Sequence, residues 1–292
     1  MVVLGATGRQ GGALTRLLLA NGWRVRGLTR DPASERARAL TAAGAEMVAA
    51  EPVGATLGST FEGAHGVFLM LPPAVAAESE LDATNAISDA AAEAGVRHLV
   101  YSSSGGAAKN GTGVANYEAK WRAAQHLASI EMPHTVVRPV TFMENYLRRV
   151  DRIEAGALDG PFTGTMRQQL VAVRDIAAVV AAIFARPEES AGLELDLAGD
   201  ELTLDEVAAV FARALGRPVR YAQRADDTVG DRDPEQMRAL LRWREREGHS
   251  ADVPALRERC ARWGVELTPL MRWIGEAWPG IADRAREGKA GA

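Results

Sequence analysis

The chain opens on four apolar residues, Met1-Val2-Val3-Leu4. They run directly into Gly5-Ala6-Thr7-Gly8-Arg9-Gln10-Gly11-Gly12 and then into an amphipathic stretch, Ala13 to Asn21. A strand, a G-x-x-G-x-x-G turn and a helix, in that order, constrain the fold more than any other feature, because they begin a βαβ unit. Gly5 can take backbone angles closed to residues with a Cβ. Gly8 lets the main chain approach a phosphate, and Gly11 lets the helix pack closely on the strand. A helix N-terminus there offers N–H groups and the positive end of a dipole, so a pyrophosphate is the expected ligand. The competing reading is an ordinary strand–turn–helix whose glycines serve packing alone.

After the helix, Asn21-Gly22 is a stop signal. Trp23 to Leu28 reads as a second strand, ending in Thr29-Arg30-Asp31-Pro32. The end of the second strand meets the adenosine ribose in such folds: an acid there binds a free 2′-hydroxyl, an arginine a 2′-phosphate. Arg30 lies 19 residues beyond Gly11, and its guanidinium can pair a phosphate bidentately. Arg9, inside the turn, can reach the same group. NADPH (NADP) is therefore expected in preference to NADH; the alternative is that Arg30 is a solvated loop charge and Asp31 holds a ribose.

Strands and helices alternate through the first half. Ser34 to Ala43 is expected to be helical, Ala45 to Ala49 a strand, Gly66 to Leu71 a buried strand ending in Pro72-Pro73, and Glu78 to Ala94 a long helix. Arg97 to Ser102 is the next strand, followed by a small-residue loop to Gly113, a helix from Ala115 to Ile130 and a strand from His134 to Arg138. This pattern predicts an α/β fold, a doubly wound parallel (Rossmann) sheet. Residues 1–140 are expected to form it, with return elements at about 170–200: strand 170–173, a helix from Ile176 capped by Asp175, and strand 193–197. Thr203 reads as the N-cap of a further helix. Residues 141–169 and 201–292 are expected to form a smaller, mostly helical C-terminal lid that binds substrate. Trp243, Trp263, Trp273 and Trp278 concentrate the aromatic mass there, and most of them read as the core of that lid.

Composition excludes several classes. The net charge is −4 and there is no long basic run, so nucleic-acid binding has no electrostatic support. One cysteine, Cys260, allows no internal disulfide and reads as a packed thiol. No apolar run reaches membrane-spanning length, no leader-like segment opens the chain, and no metal-ligand spacing occurs. The expectation is a cytoplasmic protein with a small-molecule partner, no membrane and no metal. The oligomeric state is open between monomer and homodimer.

A nicotinamide carries hydride chemistry itself, and the protein supplies position and a proton path. The loops expected around that ring hold Leu71-Pro72-Pro73, Ser102-Ser103-Ser104 and Pro139-Val140-Thr141-Phe142. The helix after the fifth strand carries Asn116-Tyr117-Glu118-Ala119-Lys120. Many short-chain dehydrogenases use Tyr-x-x-x-Lys at that point, the lysine on the ribose and the tyrosine as proton donor. Here the spacing is one residue short. Tyr117 and Lys120 still share a helix face, but the phenol is displaced. Lys120 is expected to hold cofactor, whereas Tyr117 is either a proton donor or a packing residue. Ser102 and Ser103 either bind a substrate oxygen or merely end the strand.

The segments GATGRQGG, LTRDP, HLVYSSSGG, the Lys120 helix, TVVRPVTFMEN and LTLDEVAAVFARALGRPVRY together resemble the NmrA-like group of atypical short-chain dehydrogenases/reductases, over essentially the whole chain. The resemblance implies NADPH bound by the glycine turn and by an arginine placed as Arg30 is. It also implies a lysine placed as Lys120 and an asparagine ending F-x-E-N as Asn145 does. One departure is Ala49-Ala50-Glu51-Pro52, where many relatives carry Gly-Asp near the adenine. The group contains reductases of quinones, dyes and phenolics, and also dinucleotide-sensing regulators that act through a protein partner. A quinol oxygen can take its proton from solvent, so the missing tyrosine weighs more against carbonyl reduction than against quinone reduction. An epimerase-like reaction fits least, since it needs the Tyr-x-x-x-Lys pair. The leading expectation is an NADPH-dependent oxidoreductase acting on a quinone, enone or similar flat conjugated molecule, with Phe142, Tyr146 and one or two lid tryptophans lining the pocket. The alternative is a non-catalytic NADP(H) sensor.

Overall fold

The protein is described from a computed structural model covering residues 1–50, 57–71, 76–224 and 234–279. In chain order the elements are β1 (Val2–Val3), α1 (Arg9–Ala20), β2 (Arg26–Thr29), α2 (Glu35–Ala42), β3 (Glu46–Ala49), α3 (Leu57–Phe61), β4 (Gly66–Leu69), α4 (Ala77–Glu93), β5 (His98–Ser102), α5 (Ala115–Ser129) and β6 (His134–Pro139). Next come β7 (Thr141–Phe142), a 3-10 helix (Met143–Arg149), α6 (Val150–Glu154), β8 (Ala157–Gly160), β9 (Arg167–Val171), α7 (Val173–Phe184), α8 (Pro187–Ser190) and β10 (Glu194–Leu197). The chain continues with β11 (Asp200–Thr203), α9 (Leu204–Leu215), β12 (Arg220–Gln223), α10 (Pro234–Arg246), α11 (Val253–Arg262) and α12 (Leu270–Ala277). Two compact units result. The first takes Met1–Pro139 and Val173–Leu197; the second takes Val140–Ala172 and the chain from Ala198.

The first unit holds a seven-stranded sheet in the order β10-β6-β5-β4-β1-β2-β3, with every neighbouring pair parallel. Its central strands β1 (VV) and β4 (GVFL) are short, wholly buried apolar runs, as strands covered on both faces are. On one face Leu99 and Tyr101 of β5 and Leu69 of β4 share a core with Leu81, Ile87 and Ala91 of α4 and with Ala123 and Leu127 of α5. α1 packs on α7, which is apolar over most of its length, with Val179, Val180, Ile183 and Phe184 buried. The strand order reverses between β1 and β4, and in open sheets of this kind the ligand crevice lies beyond the carboxyl ends at that reversal.

The second unit holds a three-stranded sheet, β11-β9-β7, and a two-stranded pair, β12-β8, beside its helices. Its core gathers Trp273 and Trp278 with Phe211, Val207 and Ile153. The Trp278 ring meets Phe211 edge-on at 4.9 Å. Trp243 and Trp263 are buried as well, and so is Cys260.

Three expectations need correction. α1 starts at Arg9, not Ala13, so Gly11 and Gly12 are helical. Trp23 is not in β2: its N–H goes to the Leu18 carbonyl (3.0 Å) while Gly22 takes φ +79°, a left-handed helix stop that consumes the donor a ladder would need. Asp175 lies inside the first turn of α7, buried, rather than at its N-cap, because that helix begins at Val173. Thr203 does cap α9: its hydroxyl accepts from Glu206 N–H (3.1 Å), and the Glu206 carboxylate accepts from Thr203 N–H (2.7 Å).

Candidate functional site

In the first unit, the glycine turn sits at the carboxyl end of β1. Gly5 takes φ +62°, and a Cβ there would stand 2.8 Å from Met70 Cε. A Cβ on Gly11 would stand 2.3 Å from the Gly5 carbonyl oxygen, and one on Gly8 3.1 Å from the same oxygen. The turn is thus closed on itself, and α1 starts directly from it with Gly8 as N-cap. No side chain caps this helix, and no acidic residue occupies its first turn. An uncapped, acid-free helix N-terminus behind a turn without side-chain bulk fits a dinucleotide pyrophosphate.

Several of the other expected cofactor residues stand at or just beyond strand ends of the first unit. Thr7 Oγ1 lies 3.4 Å from Thr29 Oγ1 at the end of β2. Arg30 is exposed just beyond it. The neighbouring Asp31 carboxylate accepts Ala33 N–H at 2.9 Å, so one of its oxygens serves the local turn. Arg9 is exposed, and Leu71 is buried where β4 ends. Ser102 Oγ donates to Gln10 Oε1 at 2.8 Å, tying the end of β5 to the first turn of α1. Ser103 Oγ is buried and meets no partner in hydrogen-bonding geometry among the described residues. Pro139 closes β6 and is buried opposite Leu197. Pro72 and Glu51 lie outside the described residues.

Lys120 is deeply set on α5 and forms an ion pair with Glu80 of α4, whose side chain is only 2% exposed. Burial pushes the lysine pKa down, but Tyr101 and Glu80 beside it outweigh burial and hold the ammonium above the usual lysine range. The Tyr101 hydroxyl is wholly buried among Lys120, Glu80, Thr84 and Ser103, and burial raises its pKa. The phenol that accompanies Lys120 in the buried layer is therefore Tyr101 of β5; Tyr117 is half-buried one helical turn away. Glu118 holds the end of the preceding loop, accepting from Thr112 Oγ1 (2.8 Å), Gly113 N–H (3.1 Å) and Gly111 N–H (3.2 Å). These bonds outweigh its partial burial and keep its carboxyl below the usual range. Sequence reasoning missed Glu80. Its one signal was spacing, since it falls in the buried stripe Glu80-Thr84-Ile87-Ala91 of an otherwise small and apolar helix face.

The second unit contains a cavity of about 320 Å³. Thr141, Asn145 and Tyr146 line it, with Phe162, Tyr221 and, from α10, Met237, Leu240, Leu241 and Arg244. Tyr146 Oη donates to Gln168 Oε1 at 3.4 Å. Burial lifts the Tyr146 phenol well above the usual tyrosine range despite Arg244 and Arg149 nearby, so it stays protonated. Phe142 is not among the lining residues, and no tryptophan is. Trp273 Nε1 donates to Glu144 (3.1 Å) and Trp278 Nε1 to Glu154 (3.3 Å), which fixes both indoles in the core, as expected of most of these tryptophans. Arg244 was missed, although Met237, Leu240, Leu241 and Arg244 repeat at helical spacing.

A profile of the NmrA-like family matches residues 1–270. The chain belongs to the NmrA-like family. An NmrA-like family domain-containing oxidoreductase, FrzB, from Cladobotryum sp. is 30% identical over 255 residues, covering 76% of this chain and 75% of that one. The (4-alkanoyl-5-oxo-2,5-dihydrofuran-3-yl)methyl phosphate reductase of Streptomyces griseus subsp. griseus is 30% identical over 287 residues, covering 94% and 97%. Among solved structures, NmrA, a negative transcriptional regulator, in complex with NADP superposes with a TM-score of 0.77 at 20% identity, covering 97% of each chain. At that identity the likeness speaks for the fold alone. No helix among the described residues is long and apolar enough to cross a membrane, and no cluster of metal-ligating side chains occurs among them.

Proposed function

We propose that this chain is an NAD(P)H-dependent oxidoreductase that prefers NADPH and reduces a conjugated small molecule, a quinone or an enone. The observation that carries the reading is the closed glycine turn feeding an uncapped helix N-terminus, with a Cβ on Gly11 blocked by the Gly5 carbonyl at 2.3 Å. Gly5, Gly8, Gly11 and the first turn of α1 would hold the pyrophosphate, with Thr7, Arg9 and Gln10 around it. Arg30, exposed at the end of β2, supports the NADPH preference through a bidentate pair with a 2′-phosphate. Lys120 has three ammonium donors; Glu80 takes one, and the others can serve ribose hydroxyls. When bound, the nicotinamide supplies a hydride to an electron-poor carbon. The conjugated oxygen that gains charge then takes its proton from water, so this chain needs no strong acid at that atom. Both curated relatives described above are named for redox activity, one an oxidoreductase and one a reductase, which supports an enzyme over a sensor.

The test is loss of NADPH absorbance across a panel of quinones, enones and aldehydes, with Lys120→Ala alongside. Turnover of quinones or enones that the substitution lowers at least tenfold is the expected result. Tight NADPH binding without turnover of any acceptor would overturn the enzyme reading in favour of a dinucleotide sensor. Arg30→Ala should weaken NADPH at least tenfold and leave NADH unchanged; equal losses would remove the assigned role of Arg30.

A further inference from the structure

The cavity of the second unit mixes apolar and polar surface in nearly equal parts and carries two arginines. Leu158, Leu240, Leu241 and Met237 supply the apolar surface, and Tyr146 and Phe162 supply aromatic faces. Against these stand two guanidinium groups, Arg149 and Arg244. Arg244 donates to Thr141 Oγ1 at 2.9 Å, and its guanidinium carbon stands 5.6 Å from the centre of the Phe162 ring. That stacking and the hydroxyl contact fix the plane of the fork on the cavity wall. Arg149 is held by the backbone carbonyl of Asp159. The one carboxylate lining the cavity, among the described residues, is Asp159. It is already drawn to Arg152 (3.2 Å) and lies 3.9 Å from Arg224. The cavity thus carries two arginines against one lining carboxylate that is already engaged by other arginines, and an arginine fork held beside an aromatic ring recognises a planar carboxylate or a phosphate better than a neutral group.

We propose that Arg244, assisted by Arg149, binds an anionic group, a carboxylate or a phosphate monoester, carried on a flat apolar ligand in this cavity. The protonated Tyr146 phenol and the Tyr221 ring face the body of that ligand. Tyr221 itself is fixed, donating to the Phe162 carbonyl at 2.8 Å. This deepens the reductase reading and rests on it where the ligand is called the substrate. The binding of the anion is a property of the second unit and is measured without turnover.

The experiment is isothermal titration of the full chain, with NADP⁺ present, using 2-naphthoate, 2-naphthyl phosphate and the neutral 2-acetylnaphthalene. At least one anion should bind tenfold or more tightly than the neutral compound. Raising salt from 20 to 500 mM should erode that preference. Arg244→Gln should weaken the preferred anion at least tenfold and change 2-acetylnaphthalene less than twofold, with Arg244→Lys in between. The naphthoate and phosphate arms separate the two sources of charge. Equal affinity for all three compounds in the unaltered protein, or no binding of any, overturns the proposal without need of a variant. So does an equal loss for anion and neutral compound in Arg244→Gln. A chain that oxidises NADPH but shows no anion preference keeps its reductase reading and loses this one. A chain with no turnover that still binds the anion through Arg244 does the reverse.

Discussion

The smallest decisive contact is one that glycine makes by having no side chain. A methyl group on Gly11 would meet the Gly5 oxygen at 2.3 Å, the Gly5 carbonyl carbon at 2.7 Å and Ala6 Cα at 3.0 Å, all backbone atoms that cannot swing aside. Gly11→Ala should therefore push α1 off β1, weaken NADPH at least tenfold and cost about 2 kcal/mol, the scale of overpacking in a tight interior. Gly58→Ala, which would meet nothing within 4 Å, is the control, and fluorescence titration with urea unfolding reads both. A retained NADPH affinity in Gly11→Ala would remove the turn from the cofactor site. The Lys120–Glu80 pair makes a second prediction at this scale. Glu80 is the more enclosed partner, so Glu80→Gln leaves a buried ammonium without its counter-charge and should cost about 3 kcal/mol. Replacing both, Glu80→Gln with Lys120→Met, should recover much of that loss. If the double variant is the sum of the two single ones, the pair is not coupled.

Elements are held by signals of different reach, and that decides how they respond to change. α9 is specified locally. Thr203 and Glu206 close a reciprocal cap at its start, so Thr203→Ala should lower stability by about 1 kcal/mol, read as a fall in the urea midpoint at unchanged slope. The same locality made α9, α2 with its Ser34 cap, and the apolar strands β4 to β6 legible from sequence, since caps and short apolar runs lie within a few residues of what they specify. The start of α1 was not legible at Gly11 and Gly12, because glycine's intrinsic preference is against helix and burial of Leu14 and Leu18 overrides it. The strands of the second unit were harder still. β9 (RQQLV) and β12 (RYAQ) carry no clean alternation, and each is a strand only because it pairs with a distant segment: β9 with β7 and β11, β12 with β8. Candidate site residues follow the same division. The turn glycines and Lys120 announced themselves by spacing, whereas Glu80 and Arg244 gain meaning only from what α4 and α10 bring them against.

At the scale of the whole molecule, the acid limit of stability should be set in part by one histidine in the central sheet of the first unit. His98 of β5 is fully buried, edge-on to Phe184 at 6.4 Å. Its Nε2 lies 2.9 Å from Thr135 Oγ1, and that hydroxyl donates to the Ser190 carbonyl at 2.7 Å. The hydroxyl proton is thus committed, so Nε2 must carry the ring proton, and Nδ1 is the bare nitrogen that an added proton would have to occupy. Nδ1 is buried and meets no hydrogen-bond partner among the described residues. Burial first, then His134 and His65, lowers the His98 pKa to about 4. In the unfolded chain it titrates near 6.5, so between those values the unfolded state binds the extra proton and the folded state does not. The stabilisation is complete above about pH 6.5 and fades as the pH falls to about 4, by about 2–3 kcal/mol. Urea unfolding at half-unit steps from pH 7.5 to 4 should show that decline, superimposed on the titration of carboxylates. His98→Gln, whose amide can still donate to Thr135 but takes up no proton, should start less stable and lose correspondingly less across the same range. Parallel curves for the two proteins would mean that His98 protonates in the fold as readily as in water, and the bare Nδ1 would not be closed to solvent.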